Sequence, residues 1–206
     1  MTNIKNIKFP ETPFNLFVDV GLSHNAPFSL EKLNEDKNSF IIGIEPNPDN
    51  CRSIRSKGII DRFHLIEAGV GDVGKNEDEF LELNMMYPDP GTSSFLEPTI
   101  NLISLGYKVT NKVKVRIISL ESILDLVPWH LVNNGLFELK SDTQGFETQV
   151  LKSLGSYIDK IEKLQIESTT WGQYKNACNL DEIKAILDPH MVMTKCEGEN
   201  AWFVKR

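Results

Sequence analysis

The sequence lacks the features that mark secreted, disulfide-stabilised and membrane-spanning proteins. It contains only three cysteines, Cys51, Cys178 and Cys196, and they form no C-x-x-C pair. This number and spacing exclude a disulfide framework and a cysteine-ligated zinc site, and they indicate a reducing compartment. Residues 1–13 hold no apolar run typical of a signal peptide, and no stretch approaches the length of a membrane span. We therefore expect a soluble, cytoplasmic protein.

Positive charge is also in short supply, because 22 Lys and Arg residues against 29 Asp and Glu residues give a net charge of −7. A surface that neutralises nucleic-acid phosphates would have to act against this net charge. The hydrophobic fraction of 40% and the charged fraction of 25% are ordinary for a globular chain and exclude intrinsic disorder. We expect a single domain over residues 1–206, with neither nucleic acid nor a membrane as a partner.

Glycine patterns that bind phosphates are missing as well. The glycine at position 21 is followed by LSHN, so it does not begin a G-x-G-x-x-G pattern, and no Walker lysine is present. A pyrophosphate cofactor is therefore disfavoured, which argues against a nicotinamide oxidoreductase. A nucleoside cofactor without phosphates remains open.

The order of the apolar segments predicts an α/β protein, because short β-like runs alternate with helix-length segments. The predicted strands are 15–20, 40–44, 63–67, 80–83, 113–118, 136–141 and 163–167, with a terminal hairpin over 191–205. The predicted helices are 28–33, 48–57, 120–127, 145–154 and 180–187. Between two of the strands, residues 84–112 are predicted to be an irregular loop with a short helix over 99–105. A loop of this length is usually functional or mobile, so we expect an acceptor loop or lid there.

Acidic residues stand where the first two predicted strands end. Asp19 and Gly21 close the first strand and Glu45 closes the second, and open parallel sheets bind ligands outside such ends. An acid at the position of Glu45 is the expected acceptor for ribose hydroxyls, and Pro46 offers a flat apolar surface to a purine. S-adenosylmethionine fits, because its cationic groups are attracted to carboxylates. The alternatives are an ordinary turn for the first pair and capping of the helix at Asn47 for Glu45.

Six short motifs, taken in order, resemble those of the FkbM-type methyltransferases. They are VDVG at 18–21, IEPNP at 44–48, AGVGD at 68–72, GTSSF at 91–95, SLESIL at 119–124 and LKSDTQGFETQVLKSLG at 139–155. The last motif is similar to the family pattern L-K-x-D-x-E-G-x-E. The resemblance implies a Rossmann-like class I methyltransferase, with a mostly parallel seven-stranded sheet, helices on both faces, a terminal antiparallel hairpin, and S-adenosyl-L-methionine as cofactor.

The resemblance also implies roles for individual residues. Asp19 and Gly21 would line the methionine end of the cofactor, and Glu45 would hold the ribose. The residues implied near the adenine are Ala68, Gly69 and Asp72, and those implied at the reaction centre are Asp142 and Glu147.

Two positions depart from the family pattern. Asn25 replaces a loop glycine, a change that asparagine's tolerance of the left-handed backbone is expected to accommodate. Gln144 replaces an acid, which removes a charge near the catalytic end.

Asp142 is the candidate general base. A carboxylate buried at that strand end has a raised pKa and accepts a proton from a hydroxyl nucleophile; the alternative is a structural acceptor of backbone N–H groups at the next helix start. Glu147 lies in the first helical turn, where the helix dipole alone favours an acid. His24, in the loop after the first strand, is a further candidate at the reaction centre, with an exposed loop residue as the alternative.

Three residues are the candidates for contact with the acceptor: Ser93, Ser94 and Glu167. Trp171 and Tyr174 follow the strand that ends at Glu167, and we expect them to pack in the core or at the rim.

The sequence therefore predicts an S-adenosylmethionine-dependent O-methyltransferase that acts on a hydroxyl of a glycan or secondary metabolite. The alternative is a non-catalytic Rossmann-like module for nucleoside or partner binding, which Asn25 and Gln144 keep open. We expect no divalent metal, because the acids are spread over different elements and Gln144 replaces a further carboxylate.

Overall fold

The computed structural model describes residues 4–58, 60–74, 79–168 and 172–206, which form ten strands and six α-helices. The strands are β1 (Phe14–Val20), β2 (Ser39–Glu45), β3 (Phe63–Glu67), β4 (Gly69–Val70), β5 (Glu79–Tyr87), β6 (Lys108–Ile118), β7 (Val132–Ser141), β8 (Ile161–Glu167), β9 (Met191–Glu197) and β10 (Asn200–Lys205). The helices are α1 (Pro27–Glu35), α2 (Pro48–Ser56), α3 (Ile100–Ser104), α4 (Leu120–Leu124), α5 (Glu147–Lys152) and α6 (Leu180–Leu187). Short 3-10 helices cover Ile4–Asn6, Pro90–Thr92 and Gly155–Lys160.

Seven strands form the main sheet in the order β3-β2-β1-β7-β8-β10-β9. The first five of these are parallel to one another, whereas β10 is antiparallel to both β8 and β9. The chain runs from β1 outward to β3 on one side and later returns to β7 on the other side. Ligands bind outside the carboxyl ends of the strands at such a switch point. The predicted α/β class, the mostly parallel seven-stranded sheet and the terminal hairpin are confirmed.

A second sheet of three strands, in the order β4-β6-β5, was not predicted. Its antiparallel strands β5 and β6 extend into the segment 84–112, which the sequence predicted as an irregular loop. That prediction is wrong at both ends of the segment, because Leu83, Met85 and Val115 form a buried cluster that holds the hairpin together. The irregular connection is shorter than expected, and it contains a 3-10 helix and the predicted short helix, α3.

Hydrophobic clusters cover both faces of the main sheet. On one face Leu33 of α1 packs with Phe17 and Ile41. On the other face the largest cluster joins the sheet to α4, α5 and α6, and its members include Val18, Val20, Ile123, Val150, Leu151 and Ile183. Because Phe17 and Val18 are successive residues of β1, they point to opposite faces. The continuous apolar runs of the sequence thus reflect strands that are covered on both sides.

The helix boundaries follow local capping chemistry. The side chain of Asn47 accepts hydrogen bonds from the first turn of α2, and Pro48 occupies the first helical position, as predicted. α5 is shorter than the predicted 145–154, because Gly145 has a φ of +97° and the helix begins only after Phe146.

None of the helices in the described part of the chain is long and apolar enough to cross a membrane. Cys51 and Cys178 are buried and Cys196 is exposed, and all three are free thiols.

Candidate cofactor and acceptor site

A cavity with about 540 Å³ of empty space opens at the carboxyl ends of β1, β2 and β7. Eight predicted site residues lie in its wall: Gly21, Glu45, Pro46, Ala68, Gly69, Ser93, Ser94 and Asp142. Five others are absent from the described lining: Asp19, His24, Asp72, Glu147 and Glu167. The structure therefore brings together most, but not all, of the residues that the sequence singled out.

Glu45 forms one end of the cavity, with its side chain almost completely buried. One carboxylate oxygen accepts hydrogen bonds from the Asn47 backbone N–H at 2.9 Å and from the Asn50 amide at 3.2 Å. The other accepts from the Ser23 backbone N–H at 2.9 Å. Burial raises the pKa of Glu45 to about 7, although these hydrogen bonds act to lower it. The carboxylate thus tethers the loop after β1 and titrates near neutral pH.

The close packing of two backbone segments requires a glycine at position 21. A Cβ atom at this position would lie 1.8 Å from the carbonyl oxygen of Asp142, and the residue has a φ of +84°. The backbones of β1 and β7 approach each other closely here, since the Asp142 N–H donates to the Val20 carbonyl at 3.0 Å.

The loop after Gly21 takes left-handed backbone at Ser23 and Ala26, with φ values of 57° and 48°. Asn25 is not among the described residues with a positive φ. The left-handed backbone that the sequence analysis invoked for this residue is therefore not adopted.

Asp19 is fully buried and forms an internal network beneath the cavity. Its carboxylate accepts a hydrogen bond from the Ser29 hydroxyl at 2.6 Å and lies 3.5 Å from the Lys140 ammonium. Lys140 also donates to the Gly21 carbonyl at 2.8 Å and lies 3.5 Å from Asp142. Burial acts to lower the pKa of Lys140, but the two carboxylates raise it, so Lys140 is a cation. Lys140 therefore links the ends of β1 and β7.

Asp142 forms the other end of the cavity, with 37% of its side chain exposed. The Gln144 amide nitrogen lies 2.9 Å from an Asp142 oxygen and 2.8 Å from a Glu167 oxygen, which brings the two acids close together. Burial alone would raise the pKa of Asp142, but Lys140 and the neighbouring Glu167 and Gln144 side chains outweigh it and lower that pKa. The raised pKa expected from the sequence is therefore not the one that the structure supports. Burial and the nearby Asp142 charge raise the pKa of Glu167 to about 10.

Glu147 anchors the turn between β7 and α5. One of its oxygens accepts hydrogen bonds from the Thr143 backbone N–H at 2.7 Å, the Thr143 hydroxyl at 3.0 Å and the Gly145 N–H at 3.3 Å. The other oxygen accepts from the Cys178 thiol at 3.2 Å. The side chain is fully buried, and burial raises its pKa. In this structure Glu147 faces the protein interior and holds the turn that presents Asp142.

Two further predicted residues lie on the surface. His24 is exposed, and its ring lies 3.3 Å from the Ser23 hydroxyl. Asp72 is exposed too.

The two serines in the cavity wall make internal hydrogen bonds. The Ser93 hydroxyl donates to the Pro90 carbonyl at 2.8 Å, and the Ser94 hydroxyl donates to the Gln144 carbonyl at 2.9 Å.

Aromatic and aliphatic side chains that the sequence did not single out also line the cavity. Phe95 and Phe146 have ring centroids 5.4 Å apart, and Leu83 and Val70 belong to the same lining. Lys140 was missed, although it stands inside the L-K-x-D motif. Tyr174 is buried in a hydrophobic cluster, as the sequence analysis expected. Trp171 lies outside the described residues.

The cavity suits a nucleoside with a cationic group. The Glu45 carboxylate can accept hydrogen bonds from a diol, the apolar side chains of the lining can cover a base on one side of it, and Asp142 offers a negative charge on the other. Among the described residues, no group of three or more His, Cys, Asp and Glu side chains is arranged to hold a metal ion.

Comparison of the sequence with protein-family models identifies one matching family. Residues 18–196 match the profile of the methyltransferase FkbM domain, and no curated protein matches the sequence.

Three solved structures illustrate the proteins with a similar fold. A precorrin-6y C5,15-methyltransferase from Geobacter metallireducens is 13% identical, with 94% of this chain and 79% of that chain covered and a TM-score of 0.42. The human methyltransferase 10 domain containing protein is 9% identical, with coverages of 98% and 75% and a TM-score of 0.44. A SAM-dependent methyltransferase from Aquifex aeolicus is 9% identical, with coverages of 95% and 82% and a TM-score of 0.43.

Proposed function

Because the chain belongs to the methyltransferase FkbM family, we propose that it is an O-methyltransferase that acts on a hydroxyl of a glycan or secondary metabolite. Membership of the family makes it an S-adenosylmethionine-dependent methyltransferase, and the hydroxyl acceptor is the proposed step beyond that. The observation that carries the proposal is a pair of carboxylates, the buried Glu45 and the partly exposed Asp142, in the wall of one largely apolar cavity.

The cofactor is proposed to lie along this cavity. Glu45 accepts the hydroxyls of its ribose, and Pro46, Ala68 and Gly69 pack against its adenine together with the apolar residues beside them. The loop that begins at Gly21 receives the methionine portion. Asp19 supports that loop from below through Lys140, and it acts without touching the ligand.

When bound, S-adenosylmethionine would supply the electrophilic methyl group in exchange for its sulfonium charge. Asp142 would accept the hydrogen bond of the acceptor hydroxyl and then its proton as the methyl group moves to the hydroxyl oxygen. The lost sulfonium charge would be matched by protonation of the carboxylate, so charge and atoms balance. Methyl transfer otherwise needs positioning and exclusion of water.

The acceptor is proposed to enter beside the segment 84–112. Pro90, Gly91, Ser93 and Ser94 bring this segment into the cavity wall, so changes here select the acceptor. Glu147 and Glu167 are proposed to act through Asp142, and His24 and Asp72 lie at the rim, where they are free to contact a large acceptor.

The proposed location is the reducing cytosol, with the chain acting as one domain. All three cysteines are free thiols, and the net charge of −7 disfavours nucleic acid as the acceptor.

A two-step experiment tests the proposal. S-adenosylmethionine and S-adenosylhomocysteine at saturating concentration should raise the melting temperature, because a ligand that binds only the folded state stabilises it, and NAD should not. A screen of sugars, glycosides and phenols with S-adenosylmethionine, read by mass spectrometry, should then give a product 14 Da heavier with the wild type and far less with Asp142→Asn. Stabilisation by NAD alone, or methylation of nitrogen or carbon only, would overturn the proposal.

A further inference from the structure

Two carboxyl groups meet at the acceptor end of the cavity, and one amide lies against both. The Gln144 amide nitrogen is 2.9 Å from Asp142 and 2.8 Å from Glu167. Asp142 directly follows β7, and Glu167 ends the neighbouring parallel strand β8. Because one nitrogen lies within hydrogen-bond distance of both acids, their oxygens are within about 6 Å of each other, and two like charges at that separation oppose the ionisation of both groups.

The surroundings decide which of the two carries the proton. Lys140 lies 3.5 Å from Asp142 and stabilises its charged form. Glu167 instead faces three further acids, Asp142, Glu147 and Glu199, all of which raise its pKa in addition to burial. The surroundings therefore favour a proton on Glu167, which also accepts a hydrogen bond from the Gln144 amide.

The backbone of Gln144 fixes the position of its amide. It is held in the left-handed region at a φ of 57°, and its carbonyl accepts from the Ser94 hydroxyl at 2.9 Å. The Tyr174 hydroxyl donates its one proton to the Thr92 carbonyl at 2.5 Å and lies 3.2 Å from the Gln144 side-chain oxygen. The amide nitrogen lies between the two acids and donates to both.

We propose that Glu167 is a neutral carboxylic acid and that Glu167 and Gln144 are positioning residues, which hold Asp142 as the single carboxylate in contact with the cavity at this end. This inference rests on the proposed function, because it assigns the charge state of the acids beside the transferred methyl group. Asp142 is then partly exposed to the cavity, while Gln144 lies against one of its oxygens and Lys140 against the other.

Isosteric variants test the charge state through ligand binding, without an acceptor. S-adenosylmethionine carries a sulfonium charge that S-adenosylhomocysteine lacks, so the ratio of their dissociation constants reports the charge near the sulfur. Calorimetry at pH 7 should give the wild-type ratio, within about twofold, for Glu167→Gln, because one neutral hydrogen-bond donor replaces another. Asp142→Asn removes a charge and should shift the ratio against S-adenosylmethionine by about tenfold or more.

Other results would overturn the inference. A shift of the ratio in Glu167→Gln like that in Asp142→Asn would show that Glu167 is ionised. Loss of binding of both ligands in folded Glu167→Gln would show that the carboxyl group has a direct role that an amide cannot supply.

Carboxyl ¹³C NMR of the ligand-free protein gives a second readout. One glutamate signal should stay protonated at pH 8 and be missing in Glu167→Gln. In Gln144→Met the Asp142 signal should titrate at a higher pH than in the wild type, because its carboxylate loses a donor. A glutamate signal that moves on addition of MgCl₂ at pH 8 would instead identify a cation between the acids, and an unchanged Asp142 titration in Gln144→Met would remove the role of the amide. If the wild type binds neither ligand, the proposed function fails, while the NMR titrations still decide the charge state.

Discussion

The two ends of the cavity place carboxyl groups at the ends of parallel strands, yet the groups behave differently. Glu45 stands alone on β2 and receives N–H donors from Ser23, Asn47 and Asn50. At the other end, Asp142 shares its surroundings with a second acid, an amide and a buried lysine. The pKa of Glu45 is raised to about 7 and that of Glu167 to about 10, while that of Asp142 is lowered.

The comparison shows that burial alone does not set the charge state of a carboxyl group. Burial acts to raise all three pKa values, and the neighbours decide the outcome. The N–H donors around Glu45 limit the rise of its pKa to about 7. At the other end, one negative charge is concentrated on Asp142 and one proton on Glu167. One end can therefore respond to pH, and the other keeps its charge over the neutral range.

The largest expected effect comes from removing the charge at the acceptor end. Asp142→Asn keeps the shape of the side chain and most hydrogen bonding, so turnover with an identified acceptor should fall by roughly 10²–10⁴-fold. The affinity for S-adenosylhomocysteine, whose sulfur carries no charge, should change little. Steady-state kinetics and calorimetry on the same variant separate the two quantities. If turnover is preserved and the binding of S-adenosylhomocysteine is weakened, Asp142 is a cofactor ligand instead.

At the other end, Glu45→Ala should weaken S-adenosylhomocysteine binding by about 1–3 kcal/mol, the cost of losing a charge-assisted hydrogen-bonded pair. Glu67→Ala is a matched control, because Glu67 ends the neighbouring strand β3 but pairs with Arg55 on the surface. Calorimetry should find the control close to the wild type. An unchanged dissociation constant in folded Glu45→Ala would remove the ribose assignment.

The raised pKa of Glu45 predicts a pH dependence of binding with a definite sign. Ribose hydroxyls donate to the ionised carboxylate, and this form is lost as the pH falls through about 7. The affinity for S-adenosylhomocysteine should therefore fall by up to about tenfold per pH unit below 7 and level off above it. Glu45→Gln should give a weaker, pH-independent affinity. A flat wild-type profile between pH 5.5 and 8 would show that the group does not titrate in this range.

The smallest expected effect is that of metal removal. Activity should be unchanged in EDTA, because the acceptor end has two acids that share a proton and an amide that donates to both, where a hard cation needs several free oxygen ligands. A mass-spectrometric methylation assay with and without chelator checks this. Abolished activity that magnesium restores would contradict both this prediction and the charge assignment of Glu167.

Much of this fold follows from local sequence signals. The order of buried strands and the caps at Asn47 and Ser119 are visible as short patterns, and the strand-end positions of Glu45 and Asp142 follow from them. The three-stranded sheet was missed because its strands cross a segment rich in proline and glycine, and their pairing depends on contacts between distant residues.

The internal roles of the site residues were harder to predict. The sequence marks Gln144 as a missing charge, and only the structure shows its amide between two acids. Glu147 was expected at the reaction centre because of its position in the motif, but its bonds to Thr143 and Cys178 depend on a turn geometry that the sequence does not specify. The approach of Gly21 to the Asp142 carbonyl likewise depends on the register between β1 and β7.

The crystal structure of the S-adenosylhomocysteine complex tests the central assignment most directly. The account predicts both ribose hydroxyls within about 2.5–3.2 Å of the Glu45 carboxylate, with the adenine against Pro46 and Ala68 and the sulfur directed toward Asp142. A ligand with its ribose away from Glu45, or with its sulfur directed away from the end of β7, would contradict it.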